Sequence, residues 1–252
     1  VVSPGCTACY AMRLAGTRLK HIPIYKGLTT PSKAGPVWNG TVRLNKNTLE
    51  RPISWRKPRR IFVNSMSDLF HESIPDDWID KVFQIMAVHA PQHIYQVLTK
   101  RPERMRTYVS DFVKRGRQLE IEPAIPPNIW LGVSVEDQVR ADQRIPVLLD
   151  TPAAVRFISA EPLLGPVNLA QSCARWRGTP GPGASYFDMR RRPLPDWVIV
   201  GGESGPDARP MHPDWARSVR DRCAGAGVAF FMKQMTSKAP IPEDLFIREF
   251  PR

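Results

Sequence analysis

Cysteine is scarce in this chain, with four residues in 252, and only Cys6 and Cys9 lie close together. So sparse a set excludes a disulfide-built scaffold, and a lone C-x-x-C pair reads as metal or redox chemistry in a reducing compartment. No run of roughly 18 apolar residues is present, which excludes an ordinary membrane-spanning helix. The N-terminal residues also lack the apolar stretch of a secretory signal. The expectation is a soluble, cytoplasmic protein with no membrane partner. Repeats and low-complexity tracts are missing too, so array architectures do not compete.

Acidic residues are the minority charge, 24 Asp+Glu against 36 Lys+Arg, for a formal charge of +12 and a pI near 10.0. A field of that sign attracts polyanions, and nucleic acid is the first partner to consider; a basic but indifferent surface is the plain alternative. Length and a hydrophobic content of 42% suit one large α/β domain over residues 1–252.

What is present is a rhythm. Short β-branched and aromatic runs occur at Arg60–Asn64, His93–Leu98, Asn128–Val133, Val155–Ser159, Trp197–Val200 and Val228–Met232. Helix-length stretches separate them. In Asp76–His89 the residues Trp78, Ile79, Val82, Phe83 and Met86 recur at helical spacing behind Pro75, and Asp137–Leu149 and Pro213–Cys223 look similar. Near-continuous apolar strands alternating with helices predict a parallel sheet, either a barrel or a doubly wound sheet. Each run is followed by polar groups: Ser65 to Asp68, Thr99 to Arg101, Ser134 to Glu136, Glu161, Gly201 to Ser204, and Lys233 with Gln234. In a barrel these converge on one face, so the expected fold is a partial or modified (β/α) TIM-type barrel. A doubly wound sheet would gather them at one switch point instead.

Two segments interrupt the rhythm. Residues 17–58 read as a basic insertion containing a possible short strand or hairpin arm at Trp38–Leu44, and end in the run Arg56-Lys-Pro-Arg59-Arg60. Residues 172–195 read as a long basic loop carrying Arg175, Trp176, Arg190, Arg191 and Arg192. Arg59, Arg60 and these five are the candidate nucleic-acid contacts, with Trp176 as the aromatic placed to stack on a base. Trp78, Trp130, Trp197 and Trp215 fall at periodic apolar positions and are expected in the core. His71, His89, His93 and His212 show no metal-ligand spacing.

Cys6 and Cys9 sit in Ser3-Pro-Gly-Cys-Thr-Ala-Cys-Tyr10, a loop that runs into a helix-like segment. Two thiolates so spaced can face one metal centre. Zinc needs four ligands, and Cys173 and Cys223 form no second pair. Cys223 reads as a buried core thiol and Cys173 as a free thiol in the loop.

Seven stretches together resemble a phage-encoded three-cysteine-motif family of radical S-adenosylmethionine-like proteins. They are Val2-Ser-Pro-Gly-Cys-x-x-Cys-Tyr-Ala, Asn64-Ser-Met-Ser-Asp-Leu-Phe-His71, Leu98-Thr-Lys-Arg-Pro102, Gly132-Val-Ser-Val-Glu136, Ser159-Ala-Glu-Pro-Leu163, Val200-Gly-Gly-Glu-Ser-Gly205 and Met232-Lys-Gln234. The resemblance covers nearly the whole chain in order. It implies a [4Fe-4S] cluster held by three thiolates, Cys6 and Cys9 among them, and S-adenosyl-L-methionine on the open iron. In that family a further cysteine precedes the Val-Ser-Pro-Gly stretch, so the third thiolate is expected upstream of Val1. It also implies an external electron donor, and leaves room for a separate partner protein.

For a cationic sulfonium cofactor, Asp68 and Glu136 are expected to meet the ammonium or ribose diol, and Ser65 and Ser134 to offer hydroxyls. Gly201, Gly202 and Glu203 form a turn that lets backbone approach the cofactor or substrate. Lys100, Glu161 and Lys233 are the candidate catalytic residues. Lys100, Arg101 and Lys233 alternatively form internal salt bridges across the mouth to Glu161 or Glu203. The expected function is a radical S-adenosylmethionine enzyme acting on a nucleic-acid base. Its competitors are the same chemistry on a nucleotide or other small molecule, and a non-enzymatic nucleic-acid binder with structural zinc.

Overall fold

The computed structural model describes residues 2–118, 125–176, 193–205 and 207–251. After α1 (Tyr10–Gly16), strands β1 (Thr29–Ser32) and β2 (Gly35–Trp38) pair antiparallel, and α2 (Lys46–Leu49) follows. The hairpin therefore closes earlier than Trp38–Leu44, and Trp38 is its last residue. Its turn is set by Gly35, whose φ of 108° only glycine adopts without strain.

Every apolar run becomes a strand of one parallel sheet: β3 (Arg60–Val63), β4 (Ile94–Thr99), β5 (Ile129–Ser134), β6 (Val155–Ala160), β7 (Trp197–Gly201) and β8 (Ala229–Gln234). The spatial order is the chain order, β3 to β8, and the sheet curls into a half-barrel. Without a reversal of strand order there is no switch point, which removes the doubly wound alternative.

The crossovers are α3 (Asp76–Gln84), α4 (Pro102–Gln118), α5 (Gln138–Leu149), α6 (Leu169–Ala174) and α7 (Pro213–Ala226). A π-helical turn, Ile85–His89, prolongs α3. Asp137 caps α5 by accepting from the Arg140 amide at 2.9 Å, and Gly227, at φ 68°, ends α7. The helix α4 is not among the expected ones: four of its seventeen residues are arginines, although Met105, Tyr108 and Val109 bury a helical stripe. Among the described residues no helix is long and apolar enough to cross a membrane.

Alternation along the strands makes two apolar layers. Val97, Leu131, Ile158, Val198 and Met232, all at 0% exposure, belong to the main core, which the helices share. On the other face Trp130, Phe157 and Trp197 pack at the strand beginnings. Gly132 is required there, since a Cβ on it would lie 2.5 Å from the Phe157 ring. The C-terminal residues complete this foot. The Met232 amide donates to the Ile247 carbonyl at 2.8 Å, covering the free edge of β8, and Phe250 packs against Trp197 in a tilted pair with ring centroids 5.3 Å apart. Arg60, which opens β3, lies 3.9 Å from the Phe250 ring centroid, so the tail bridges the two outer strands at their starts.

Candidate functional site

Because the strands are parallel and run in chain order, the polar groups that follow them share one end of the sheet, the mouth. The N-terminal loop is pinned there. Ser3 donates to Glu136 Oε1 at 2.5 Å, and the Arg209 guanidinium donates to the Pro4 carbonyl at 3.1 Å. Gly5 lies so close that a Cβ on it would sit 2.5 Å from Glu136 Oε1. Tyr10, the first residue of α1, donates its hydroxyl to the carbonyl of Ser65, just past β3. These hydrogen bonds place Cys6 and Cys9, both partly buried and free, over the carboxyl ends of the strands.

Three of the four strand-end carboxylates are already engaged. Glu136, with 0% exposure, receives Lys100 and Ser3 on one oxygen and Arg144, at 3.0 Å, on the other. Asp68 accepts from Thr99 at 2.7 Å, from the Phe70 and Lys100 amides, and from Arg101 at 3.0 Å. Glu203 is chelated by Arg209, whose backbone amide and Nε reach Oε2 at 2.9 and 3.0 Å. Glu161 differs, for its main partner is the half-exposed ammonium of Lys233 at 2.8 Å. Of the expected internal salt bridges, Lys233 to Glu161 forms, whereas Lys100 pairs with Glu136 and Arg101 with Asp68 and Glu72.

Burial raises the Glu136 carboxyl, but Lys100, Ser3 and Arg144 outweigh it and hold the group below the usual carboxylate range. Burial likewise raises the Cys6 thiol; backbone hydrogen bonds at Val2 and Ser3 and the Lys100 ammonium overcome it, leaving Cys6 below an ordinary thiol. The thiolate is the form that binds metal.

Gly202 proves structural: a Cβ on it would come 2.4 Å from the Thr236 backbone nitrogen, and its amide donates to the Gln234 carbonyl at 2.9 Å. Gly201 faces Glu161, with room for a Cβ only at 3.2 Å. Ser134 is buried at the end of β5, and Ser65 is exposed. Ser3, Arg144 and Arg209 join the site without having been expected in it. The signal for Arg144 was an arginine on the apolar stripe of α5, between Ala141 and Ile145; for Arg209, a cation six residues past Glu203.

Several expected nucleic-acid contacts lie elsewhere. Arg59 and Arg60 lead into β3, so they sit at the foot, opposite the mouth, and Arg59 stacks 4.6 Å over Trp55. Residues 172–174 are helical, the end of α6, so the irregular segment starts later than expected. Arg175 pairs with Asp142 at 3.0 Å. Trp176 is half-buried, packs against the core and donates its indole N–H to Asp150 at 3.3 Å. Arg190, Arg191 and Arg192 lie outside the described residues.

Cys173 is not a loop thiol. It is buried in α6 and lines a small apolar cavity with Cys223 of α7. Burial pushes Cys173 up to about 11 and Cys223 up to about 12. With a thiol reagent under mildly alkaline native conditions, Cys6 and Cys9 of metal-free protein are therefore expected to react, and the other two only after denaturation. Four fast-reacting thiols would contradict that burial.

Among the described residues no three Cys, His, Asp or Glu side chains gather as a metal-holding group. In kind, Cys6 and Cys9, two free cysteines on one loop with the Lys100 ammonium near Cys6, are a donor pair that would suit an iron–sulfur cluster. Searches of curated proteins and of solved structures returned no match. A family model does match residues 1–242, nearly the entire chain, and its description is "protein of unknown function". The chain belongs to that family, DUF5131.

Proposed function

We propose that the protein is a radical S-adenosylmethionine enzyme built on part of a TIM-type (β/α) barrel, acting on a base of a nucleic acid. The observation that carries this reading is the seating of the Cys6–Cys9 loop over the carboxyl ends of the parallel strands, the end where such sheets do chemistry. When bound, a [4Fe-4S] cluster with S-adenosylmethionine supplies one-electron cleavage of the sulfonium and a hydrogen-abstracting 5′-deoxyadenosyl radical, the electron coming from an external donor. Cys6 and Cys9 would hold the cluster together with a third thiolate.

The remaining roles follow from which groups are engaged. Glu136 and Glu203 hold the loop, through Ser3 and through Arg209 on Pro4, and act as positioning residues. Asp68 orders the residues that follow β3 and β4. Glu161 has the fewest commitments and an exposed counter-ion, so it is the carboxylate for a ligand ammonium or diol, with Lys233 released to a ligand carboxylate. Gly201 beside it leaves the approach open, and Ser134 contributes a hydroxyl.

Full-length protein purified without oxygen should be brown and carry roughly four irons per chain. With a chemical reductant it should convert S-adenosylmethionine to 5′-deoxyadenosine. Colourless protein with about one zinc per chain would overturn the reading in favour of a structural metal.

A further inference from the structure

The positive charge of this protein is not spread over it. Residues 1–60 hold twelve of the 36 Lys+Arg and one of the 24 Asp+Glu, Glu50, so +11 of the net +12 resides there; the other 192 residues nearly balance, 24 against 23. All twelve cations are exposed. Every ion pair between described residues lies at Asp68 or beyond, so among the described residues no acidic side chain pairs with any of the twelve. Elsewhere many cations are paired, as Arg115 is with Asp80, Arg175 with Asp142, and Arg217 and Arg220 with Asp244. Cations without acidic partners repel one another, and a segment this rich in them is suited to a polyanion.

The segment also has a shape. α1 leaves the mouth at Tyr10 and ends about 10 Å further on, where Gly16 packs against Pro36 of the hairpin. Between α1 and the hairpin lies a cavity of about 420 Å³, lined by Lys20, Tyr25, Thr29 and Ser32 among others. It falls within the size range of small-ligand sites. Lys20 offers a cation, Tyr25 a ring, and Thr29 and Ser32 hydroxyls: groups that suit a phosphate, a base and a ribose.

We propose that residues 13–36, α1 and the hairpin with the segment between them, are the docking surface for a single-stranded nucleic acid. Its phosphates follow Arg13, Arg18, Lys20, Lys26 and Lys33, and one nucleotide sits in the cavity between α1 and the hairpin. The surface starts beside Cys9, so a neighbouring nucleotide reaches the mouth. The inference deepens the proposed function only in what becomes of the docked strand, for docking itself uses none of the mouth residues.

The test is titration of a short fluorescent single-stranded RNA across a range of salt concentrations, using the full-length protein. A variant with Arg13, Arg18, Lys20, Lys26 and Lys33 changed to Gln is compared with one in which the paired cations Arg106, Lys114, Arg115 and Arg217 are changed to Gln. The first should bind at least about tenfold more weakly, and its log–log salt slope should flatten by roughly 0.7 for each phosphate no longer neutralised. The second should bind nearly as the parent does. A Tyr25→Ala variant should weaken binding at every salt concentration without changing the slope. Equal weakening in both charge variants, preference for a duplex of the same sequence, or binding to phosphatidylserine vesicles with none to RNA would each overturn the proposal. A Cys6→Ala protein that binds RNA normally keeps this surface whatever its metal content, whereas iron-loaded protein without RNA binding removes the surface and leaves the cluster.

Discussion

Changing Cys6 or Cys9 to alanine is expected to reduce bound iron from roughly four per chain to near zero and to abolish 5′-deoxyadenosine formation. The fold should survive. The loop lies at the rim, the cysteines are only partly buried, and the two apolar layers of the sheet do not include them. The cost to stability should be about 1 kcal/mol or less. Iron assay and the ultraviolet–visible spectrum read the first effect, and urea unfolding of metal-free protein reads the second. If both variants unfold outright, the two cysteines hold a structural metal, and the enzyme reading fails. If iron remains, the cluster ligands are other residues.

Removing the Glu136 side chain should have the largest effect on stability. Glu136→Ala leaves Lys100, 19% exposed, and Arg144, 6% exposed, without the carboxylate that compensates both. Uncompensated buried charge costs about 3–5 kcal/mol. The same change releases Ser3, so the cysteine loop should loosen and iron uptake should fall even under conditions where the sheet is folded. Glu161→Ala is the contrast: Lys233 stays solvated at 52% exposure, and the cost should be below about 1 kcal/mol. Urea unfolding at neutral pH measures both. Comparable costs would show that Glu136 does not organise the mouth.

The fold was largely legible because its signals are local. A run such as Ile-Trp-Leu-Gly-Val-Ser, apolar on both faces, can be stable only inside a covered parallel sheet, and β5 is buried at each of its six residues. Once all strands are parallel, a polar residue after each must lie at the same end, so Ser65, Lys100, Glu136, Glu161 and Glu203 could be assigned to one mouth by counting along the chain. α4 escaped because its arginines mask a narrow apolar stripe. Residues 172–174 read as loop because a short helix next to Arg175 and Trp176 carries little periodicity.

The sequence by itself determined the strands, their direction and the end of the sheet at which the cysteine loop would be useful. Only the tertiary structure decided which of the mouth's charged groups remain open to a ligand. Glu136 meets Ser3 across 133 positions and Lys100 across 36, and no local pattern records such pairings. A carboxylate saturated by Arg144 and Lys100 and one answered by a half-exposed lysine look alike as letters. They differ in what they can do, because a buried ion pair has already exchanged its water for protein, whereas an exposed one can still exchange its partner for a ligand.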